Sequence, residues 1–422
     1  MTLTIGYIYS QSGTNDWKNK WILICALTLI IGLYVSAALM SIGMIATALL
    51  LFTPGAFPQL YSNVKRQPLY ILLFGIFVFY LVSGLYSTNL HYWGERLQIK
   101  LPYLLLPLSF ATVSLSKKTL YTILYVLFIT VVIGAIGSLI NFALNYEAIV
   151  ESYLHAKVMP TPFNIGHIRF SLMSAFSALI GWVLYKDQFT FKWKIERYVL
   201  LGGGLFLVIF LHILSVRSGL LAFYAAAFVY LFMETVKNRN LKQLVFSILF
   251  LGMISGAMYF LSPTLRNKAN YMHKDVSRFK DGKNVNNYSD GNRLLSWKLG
   301  WRIGNKNPLI GVGIGDVLDE ITHIYVTEYP EITENNRLIP HSQFVYIFAG
   351  CGLLGMLWFI AACFYPYLDP RLRNTALFMV FNTIIVTSFI SESTLEIQLG
   401  VALHLFFLML LLSYTNLNPT KE

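Results

Sequence analysis

The chain has 422 residues, of which 56% are hydrophobic and only 12% are charged, whereas about a quarter of the residues are charged in an ordinary soluble protein. This composition excludes a soluble domain, and basic residues in cytoplasmic loops explain the formal charge of +12 without a nucleic-acid partner. Apolar runs close to the ~20 residues that cross a bilayer recur along the chain. We therefore predict an all-α polytopic membrane protein in contact with the lipid bilayer.

The chain opens with the polar segment MTLTIGYIYSQSGTNDWKNK, which predicts no cleavable signal peptide. Apolar length then predicts about twelve membrane spans. They lie at residues 21–36, 38–54, 69–87, 97–114, 119–143, 167–185, 198–215, 218–236, 243–262, 342–366, 373–391 and 396–415. The organisation is thus nine spans in residues 1–262, one large outer loop at 263–341, and three spans in residues 342–422.

The distribution of lysine and arginine predicts the orientation of these spans. An even number of crossings puts both termini on one side, where the short loops and the termini carry sixteen basic residues. The short loops and adjoining helix ends on the other side carry five. Because basic residues accumulate on the cytoplasmic side, we predict that both termini are cytoplasmic and that the large loop faces outward.

Short helices are predicted inside the large loop. The segment DGNRLLSWKLGWRIGNKNPLIGVGIGDV places leucines and tryptophans between Leu294 and Trp301, a pattern that suits a helix at the membrane interface. Pro308 and the glycines after it end that helix. GVGIGD has no preceding strand and faces away from ATP, so it is not a nucleotide-binding loop. The glycines of AGCGLLG are expected to permit close packing.

Unusual polar residues collect on the outer side of the predicted membrane. They are Arg169, Arg217, Arg293, His341, Glu392 and Glu396. An arginine near a helix end commonly reaches lipid phosphate, which is the interpretation we prefer for Arg96. That explanation is weaker for Arg217, because the turn SVRS between two apolar spans gives a charge little reason to be there.

Taken together, these residues suggest a site for a diphosphate. Guanidinium groups bind phosphate oxygens through charge-assisted, often bidentate hydrogen bonds, and a histidine can accept a proton from an attacking hydroxyl. The outer loops contain no DxD motif. Asp316, Asp319 and Glu320 fit a solvated surface better than a metal site, so we predict no metal and no cofactor.

Three segments carry a resemblance to a known family. They are SVRSGLLAF, GNRLLSWKLGWRIGNKNPLIGVGIGD and PHSQFVYIFAGCGLLG. In order and spacing, the chain resembles the O-antigen ligase and O-antigen polymerase superfamily, with the core of the resemblance at about residues 200–365. Ser342 stands where members of the family usually have asparagine after the histidine.

The resemblance implies a metal-independent glycosyltransferase of the bacterial inner membrane. Its donor would be an undecaprenyl-diphosphate-linked glycan, and its acceptor a hydroxyl of lipid A–core at the periplasmic face. By matched position, Arg217 and Arg293 would bind the diphosphate and His341 would be the general base or would orient the acceptor. Arg169 would be an additional contact, and Glu392 would orient a neighbour.

Two alternatives remain at this point. An O-antigen or exopolysaccharide polymerase would use the same donor and another lipid-linked repeat as acceptor, but one dominant outer loop after nine spans favours the ligase. A glycolipid transporter would bind at the bilayer midplane with repeated halves. The one-sided charges and the lack of a visible repeat make transport the weaker alternative.

Overall fold

The structure is a computed structural model that describes residues 2–152, 158–162, 165–261 and 289–415. Within these ranges the regular structure is helical. The helices are α1 Thr2–Val35, α2 Ala37–Ala48, α3 Ala56–Arg66, α4 Leu69–Ser83, α5 Leu90–Phe110, α6 Lys117–Leu144, α7 Tyr146–Ser152, α8 His167–Lys186, α9 Glu196–Leu214, α10 Arg217–Asn238, α11 Leu241–Leu261, α12 Ser289–Gly304, α13 Val317–Glu328, α14 Gln343–Leu368, α15 Pro370–Arg373, α16 Ala376–Ser391 and α17 Gln398–Thr415. Helix α17 contains a π-helical turn at Ala402–Phe406.

Each predicted span overlaps a helix, and the all-helical membrane architecture is confirmed. Among the described residues, seven helices are long and apolar enough to cross a membrane, namely α1, α6, α8, α9, α10, α14 and α17. Helices α4 and α16 are apolar but shorter, and α2 with its 3₁₀ extension is bent by 105° relative to α3. The number of twelve crossings therefore stays a prediction. The first part of the predicted outer loop, up to residue 288, lies outside the described residues.

Polar contacts between helices hold together one end of the helix bundle. Lys18 Nζ donates to the carbonyl of Thr112 at 3.1 Å, and Asn63 Nδ2 donates to the carbonyl of Ala111 at 2.9 Å. Lys117 pairs with Asp187 at 3.0 Å. These contacts connect α1 and α3 with the ends of α5, α6 and α8. Lys18 and Lys117, two of the basic residues used for the orientation prediction, therefore lie at the same end of the bundle. Which end faces the cytoplasm stays a prediction.

Helix α12 is the predicted amphipathic helix of the outer loop. Its apolar residues Leu295, Leu299 and Ile303 are each no more than 3% exposed. They recur every four residues and therefore share one face, and α12 packs against α14. A Cβ on Gly300 would lie 2.6 Å from Val345 Cγ1, so only glycine allows this approach. The side of α12 that carries Gly300 thus packs on α14, and the position of α12 at the membrane interface stays a prediction.

Helix α14 is broken at Gly352, whose φ of +64° is not helical. Residues 308–313 lie beside the break and replace the missing helical hydrogen bonds. Val312 N donates to the Ala349 carbonyl at 2.9 Å, and Leu353 N donates to the Pro308 carbonyl at 2.8 Å. The NPLIGVG segment is therefore a structural element that pairs with an opened helix, and the predicted close packing of the AGCGLLG glycines is confirmed.

Replacing Gly352 by alanine is expected to destabilise the protein. The new Cβ would lie 2.3 Å from the carbonyl carbon of Leu309, at a φ that L-residues rarely adopt. We expect a loss of about 2 kcal/mol or more, seen as a lower thermal midpoint of the purified protein in detergent. Gly202→Ala in α9 is the control, since no atom lies within 4 Å of its Cβ position. Equal midpoints for the two variants would contradict the described break.

Candidate active site

Three helix N-termini and one helix C-terminus meet at the end of the bundle away from Lys18. Helices α8, α10 and α14 begin here, and α16 ends here at Ser391. Helices α8, α10 and α16 pack on one another, and α14 packs on α16. Because helix N-termini carry partial positive charge, this end of the bundle favours anions before any side chain is considered.

A close contact between α8 and α10 brings two of the predicted arginines to this end. A Cβ on Gly219 would lie 2.3 Å from Ser171 Oγ, so the two helices touch two residues after Arg217 and Arg169. Arg217 Nη1 pairs with Asp290 of α12. Asp290 lies three residues before Arg293 and so on the same side of α12. Arg217 is therefore tied to the helix that carries Arg293.

Glu392 holds the centre of the site. Its Oε1 accepts a hydrogen bond from Arg293 Nη2 at 2.6 Å, and its Oε2 lies 3.0 Å from His341 Nε2. The Glu392 side chain is 9% exposed, whereas those of Arg293 and His341 are 23% and 21% exposed. One carboxylate thus joins two predicted residues from different segments of the chain.

The electrostatics of the site keep this carboxylate ionised. Burial alone would raise the pKa of Glu392, but the hydrogen bond with His341 and the charges of His341, Arg293 and Arg169 lower it below its ordinary value. Arg169 is therefore near enough for its charge to act on Glu392. The four residues form one electrostatic unit.

His341 is held through both its backbone and its ring. Its backbone N–H donates to Ser296 Oγ at 3.0 Å, and Ser296 Oγ donates to the Arg293 carbonyl at 2.8 Å. With Nε2 against Glu392, the other ring nitrogen, Nδ1, is buried and has no hydrogen-bond partner among the described residues. Nδ1 is thus the ring nitrogen that no described residue contacts by a hydrogen bond.

The three acids considered for a metal are engaged elsewhere. Asp316 accepts from the backbone N–H of Asn89 at 2.8 Å, and Asp319 accepts from the Asn89 side chain at 2.8 Å. Glu320 pairs with Lys306 at 2.5 Å. In the ranges that the structure describes, no group of three or more His, Cys, Asp or Glu side chains is placed to hold a metal ion.

Sequence analysis did not single out a second, buried set of polar residues next to the site. Lys100 pairs with Glu396 at 3.1 Å, and Gln343 donates to the same carboxylate at 2.8 Å. Arg96 donates to the Glu396 carbonyl at 2.8 Å and packs over Tyr92, so it has protein partners in addition to any lipid phosphate. Two sequence signals belong to this set: Glu396, one of the unusual polar residues of the outer side, and Lys100, a charge inside the apolar run LQIKLPYLLLPL.

The arrangement combines two chemical capacities. Arginine side chains and helix N-termini can neutralise an anion with several oxygens. An imidazole held by a carboxylate can accept a proton from a hydroxyl. The combination suits a reaction in which a hydroxyl attacks a carbon that carries an anionic leaving group.

Comparison with known proteins agrees with this chemistry. Residues 202–360 match the family model described as O-antigen ligase, in accordance with the core predicted at about residues 200–365. No curated protein matches the chain. Arg217, Arg293 and His341 lie inside the matched range, whereas Arg169 and Glu392 lie outside it. Residues 202–360 of this multi-pass membrane protein are therefore similar to the O-antigen ligase family.

Proposed function

We propose that the protein is an O-antigen ligase that transfers a glycan from undecaprenyl diphosphate to a hydroxyl of lipid A–core. The reaction takes place at the outer, periplasmic end of the helix bundle in a bacterial inner membrane. The family match supports glycosyl transfer in general. The observation that carries the proposal is the Glu392 carboxylate, which holds the predicted base His341 and the predicted phosphate ligand Arg293 in one place.

The proposed step is a direct displacement at the anomeric carbon. His341 Nδ1 takes the proton of the acceptor hydroxyl, and the hydroxyl oxygen forms the new bond to the anomeric carbon. The bond from that carbon to the diphosphate breaks, and its electron pair leaves with undecaprenyl diphosphate. Attack from the face opposite to the leaving group inverts the anomeric centre. Glu392 stays ionised and stabilises the protonated imidazole.

The arginines stabilise the leaving group. Negative charge grows on the diphosphate as the glycosidic bond breaks, and fixed cations at that position lower the barrier most when water is excluded. Arg293 and Arg217 bind the diphosphate, and Arg169 adds a third positive charge beside them. Arg293 is held by Glu392 and Arg217 by Asp290, so both guanidinium groups are positioned by contacts within the protein.

A reconstituted reaction tests the proposed function directly. Purified protein in vesicles receives a defined undecaprenyl-diphosphate glycan together with lipid A–core, and mass spectrometry identifies the products. Glycan on the core supports the ligase. Longer glycan still on the polyprenyl carrier indicates a polymerase, and movement of the donor across the vesicle membrane without a new glycosidic bond indicates transport.

In this assay we expect His341→Ala to lower the transfer rate by about 10² to 10⁴, the usual contribution of a general base. His323→Ala is the matched control, because His323 is an exposed histidine of the outer segment. Transfer at the wild-type rate by His341→Ala would remove the proposed base.

The arginines should not be replaceable by lysine. Arg293→Lys and Arg217→Lys keep the charge but lose the forked hydrogen bonds to phosphate, so we expect about tenfold or greater loss of kcat/KM for the donor. Arg302→Lys is the control on the same helix, since the Arg302 pair with Glu328 is exposed. A wild-type kcat/KM for both test variants would contradict diphosphate binding by these residues.

Replacing Glu392 by glutamine should reduce both transfer and the sensitivity of stability to acid. Since the pKa of Glu392 is lowered in the folded protein, its ionised form stabilises the fold above its ordinary pKa. This contribution is lost as the pH falls through the lowered pKa. Between about pH 7 and about pH 3, the thermal midpoint of wild type should fall further than that of Glu392→Gln.

Glu334→Gln, at an exposed position of the outer segment, should follow the wild-type pH dependence. If Glu392→Gln also followed it, the carboxylate would not be held as described.

A further inference from the structure

Gln343 lies two residues after His341 and is fully buried in the first turn of α14. Its backbone N–H donates to the Glu392 carbonyl at 3.1 Å. Its side-chain Nε2 donates to Glu396 Oε1 at 2.8 Å, and its side-chain oxygen accepts from the backbone N–H of Leu395 at 2.8 Å. Gln343 thus contacts both ends of the segment from Glu392 to Glu396.

We propose that Gln343 is a positioning residue for transfer, and that Lys100 and Glu396 fix it so that the Glu392 carboxylate meets His341. This inference rests on the proposed function, in which Glu392 and His341 act together. Gln343, Lys100 and Glu396 are buried on the side of Glu392 that faces α5. These residues act through Glu392 and do not touch the substrate.

The anchor of Gln343 is a carboxylate with three donors. Glu396 Oε1 accepts from the Tyr80 hydroxyl at 2.6 Å, from Lys100 Nζ at 3.1 Å and from Gln343. Lys100 is 0% exposed and Glu396 is 2% exposed. A charge pair so buried gains little net stability, because both ions lose their water. Its contribution is a fixed geometry, which is what a catalytic carboxylate nearby requires.

The backbone of the same stretch is held from both sides. From α5, Lys100 Nζ donates to the Leu395 carbonyl at 2.5 Å and Arg96 Nη1 donates to the Glu396 carbonyl at 2.8 Å. From the start of α14, Ser342 Oγ donates to the Phe389 carbonyl at 3.2 Å, in addition to the bonds of Gln343. We call residues 389–396 with these contacts the Glu392 clamp. Its contacts leave the Glu392 carboxylate little freedom to move away from His341.

A direct role of Gln343 in substrate binding does not fit these contacts. Both side-chain amide atoms are used inside the protein, and the residue is 0% exposed. Losing the amide is therefore expected to release the Glu392 clamp, while Arg217 stays paired with Asp290 and Arg169 stays at the start of α8. Transfer should slow with little change in the affinity for the donor.

The test compares Gln343→Leu with wild type in the reconstituted transfer assay. We expect kcat to fall about tenfold or more, with KM for the donor within about twofold, as for loss of an interaction that matters mainly in the transition state. Gln67→Leu is the matched control, because Gln67 is a buried glutamine at the other end of the bundle, 4% exposed. It should keep the wild-type kcat.

A second measurement separates positioning from a merely structural role. The double variant Gln343→Glu with Glu396→Gln exchanges the amide and the carboxylate, so the contact between the two side chains can form again with reversed roles. We expect it to recover kcat relative to either single variant, a coupling that independent residues do not show. Should Gln343→Leu not fold, Gln343→Asn, which keeps the amide on a shorter side chain, takes its place.

The pH dependence of stability provides a third measurement. His341, Arg293 and Arg169 face Glu392 and lower its pKa. A released clamp weakens these contacts, so the pKa of Glu392 should rise towards its ordinary value. The thermal midpoint should then fall less between about pH 7 and about pH 3 in Gln343→Leu than in wild type.

The outcomes distinguish this inference from the proposed function. A wild-type protein that forms no glycosidic bond overturns both. An active wild type, with His341→Ala inactive and Gln343→Leu as active as Gln67→Leu, overturns only the role of Gln343. Loss of kcat without recovery in the double variant, or with a wild-type pH dependence of the thermal midpoint, also overturns it.

Discussion

The carboxylate of Glu392 is the constraint on which the candidate site depends. Arg169 and Arg293 come from two helix ends, and their positive charges would repel each other without a compensating anion. Glu392 supplies one negative charge and two acceptor oxygens, and both oxygens are used. The site as a whole remains positive after this compensation. It is therefore held together by contacts within the protein and keeps the positive charge that the proposed diphosphate donor requires.

A second ion pair, Lys100 with Glu396, lies behind the pair of Arg293 with Glu392. Lys100 and Glu396 lie on the far side of the loop between α16 and α17, and Gln343 connects them to Glu392. A buried pair of this kind is costly to desolvate, and the surrounding hydroxyl and amide donors offset part of that cost. The site therefore consists of a partly exposed layer with His341 and the arginines and a buried layer behind it. This division matches the general need for a rigid support behind catalytic groups.

Much of the architecture was predictable because its signals are local. Apolar length located the helices, and Arg217 stood out because a charge in a short turn between spans needs a reason. The contacts of Glu392 were not predictable, since a glutamate at a helix end ordinarily meets water. Lys100 and Glu396 are separated by 296 positions in the sequence, and no periodicity links residues so far apart. The break at Gly352 was hidden by the uninterrupted apolar run around it.

That break has a consequence for biosynthesis. Around residue 352 the backbone of α14 cannot satisfy its own polar groups, and a lipid environment offers them no partners. Residues 308–313 supply those partners from outside the helix. They precede α14 in the chain and so leave the ribosome first. In the predicted orientation, residues 308–313 must already be across the bilayer when α14 enters it, which would couple translocation of that segment to insertion of the helix.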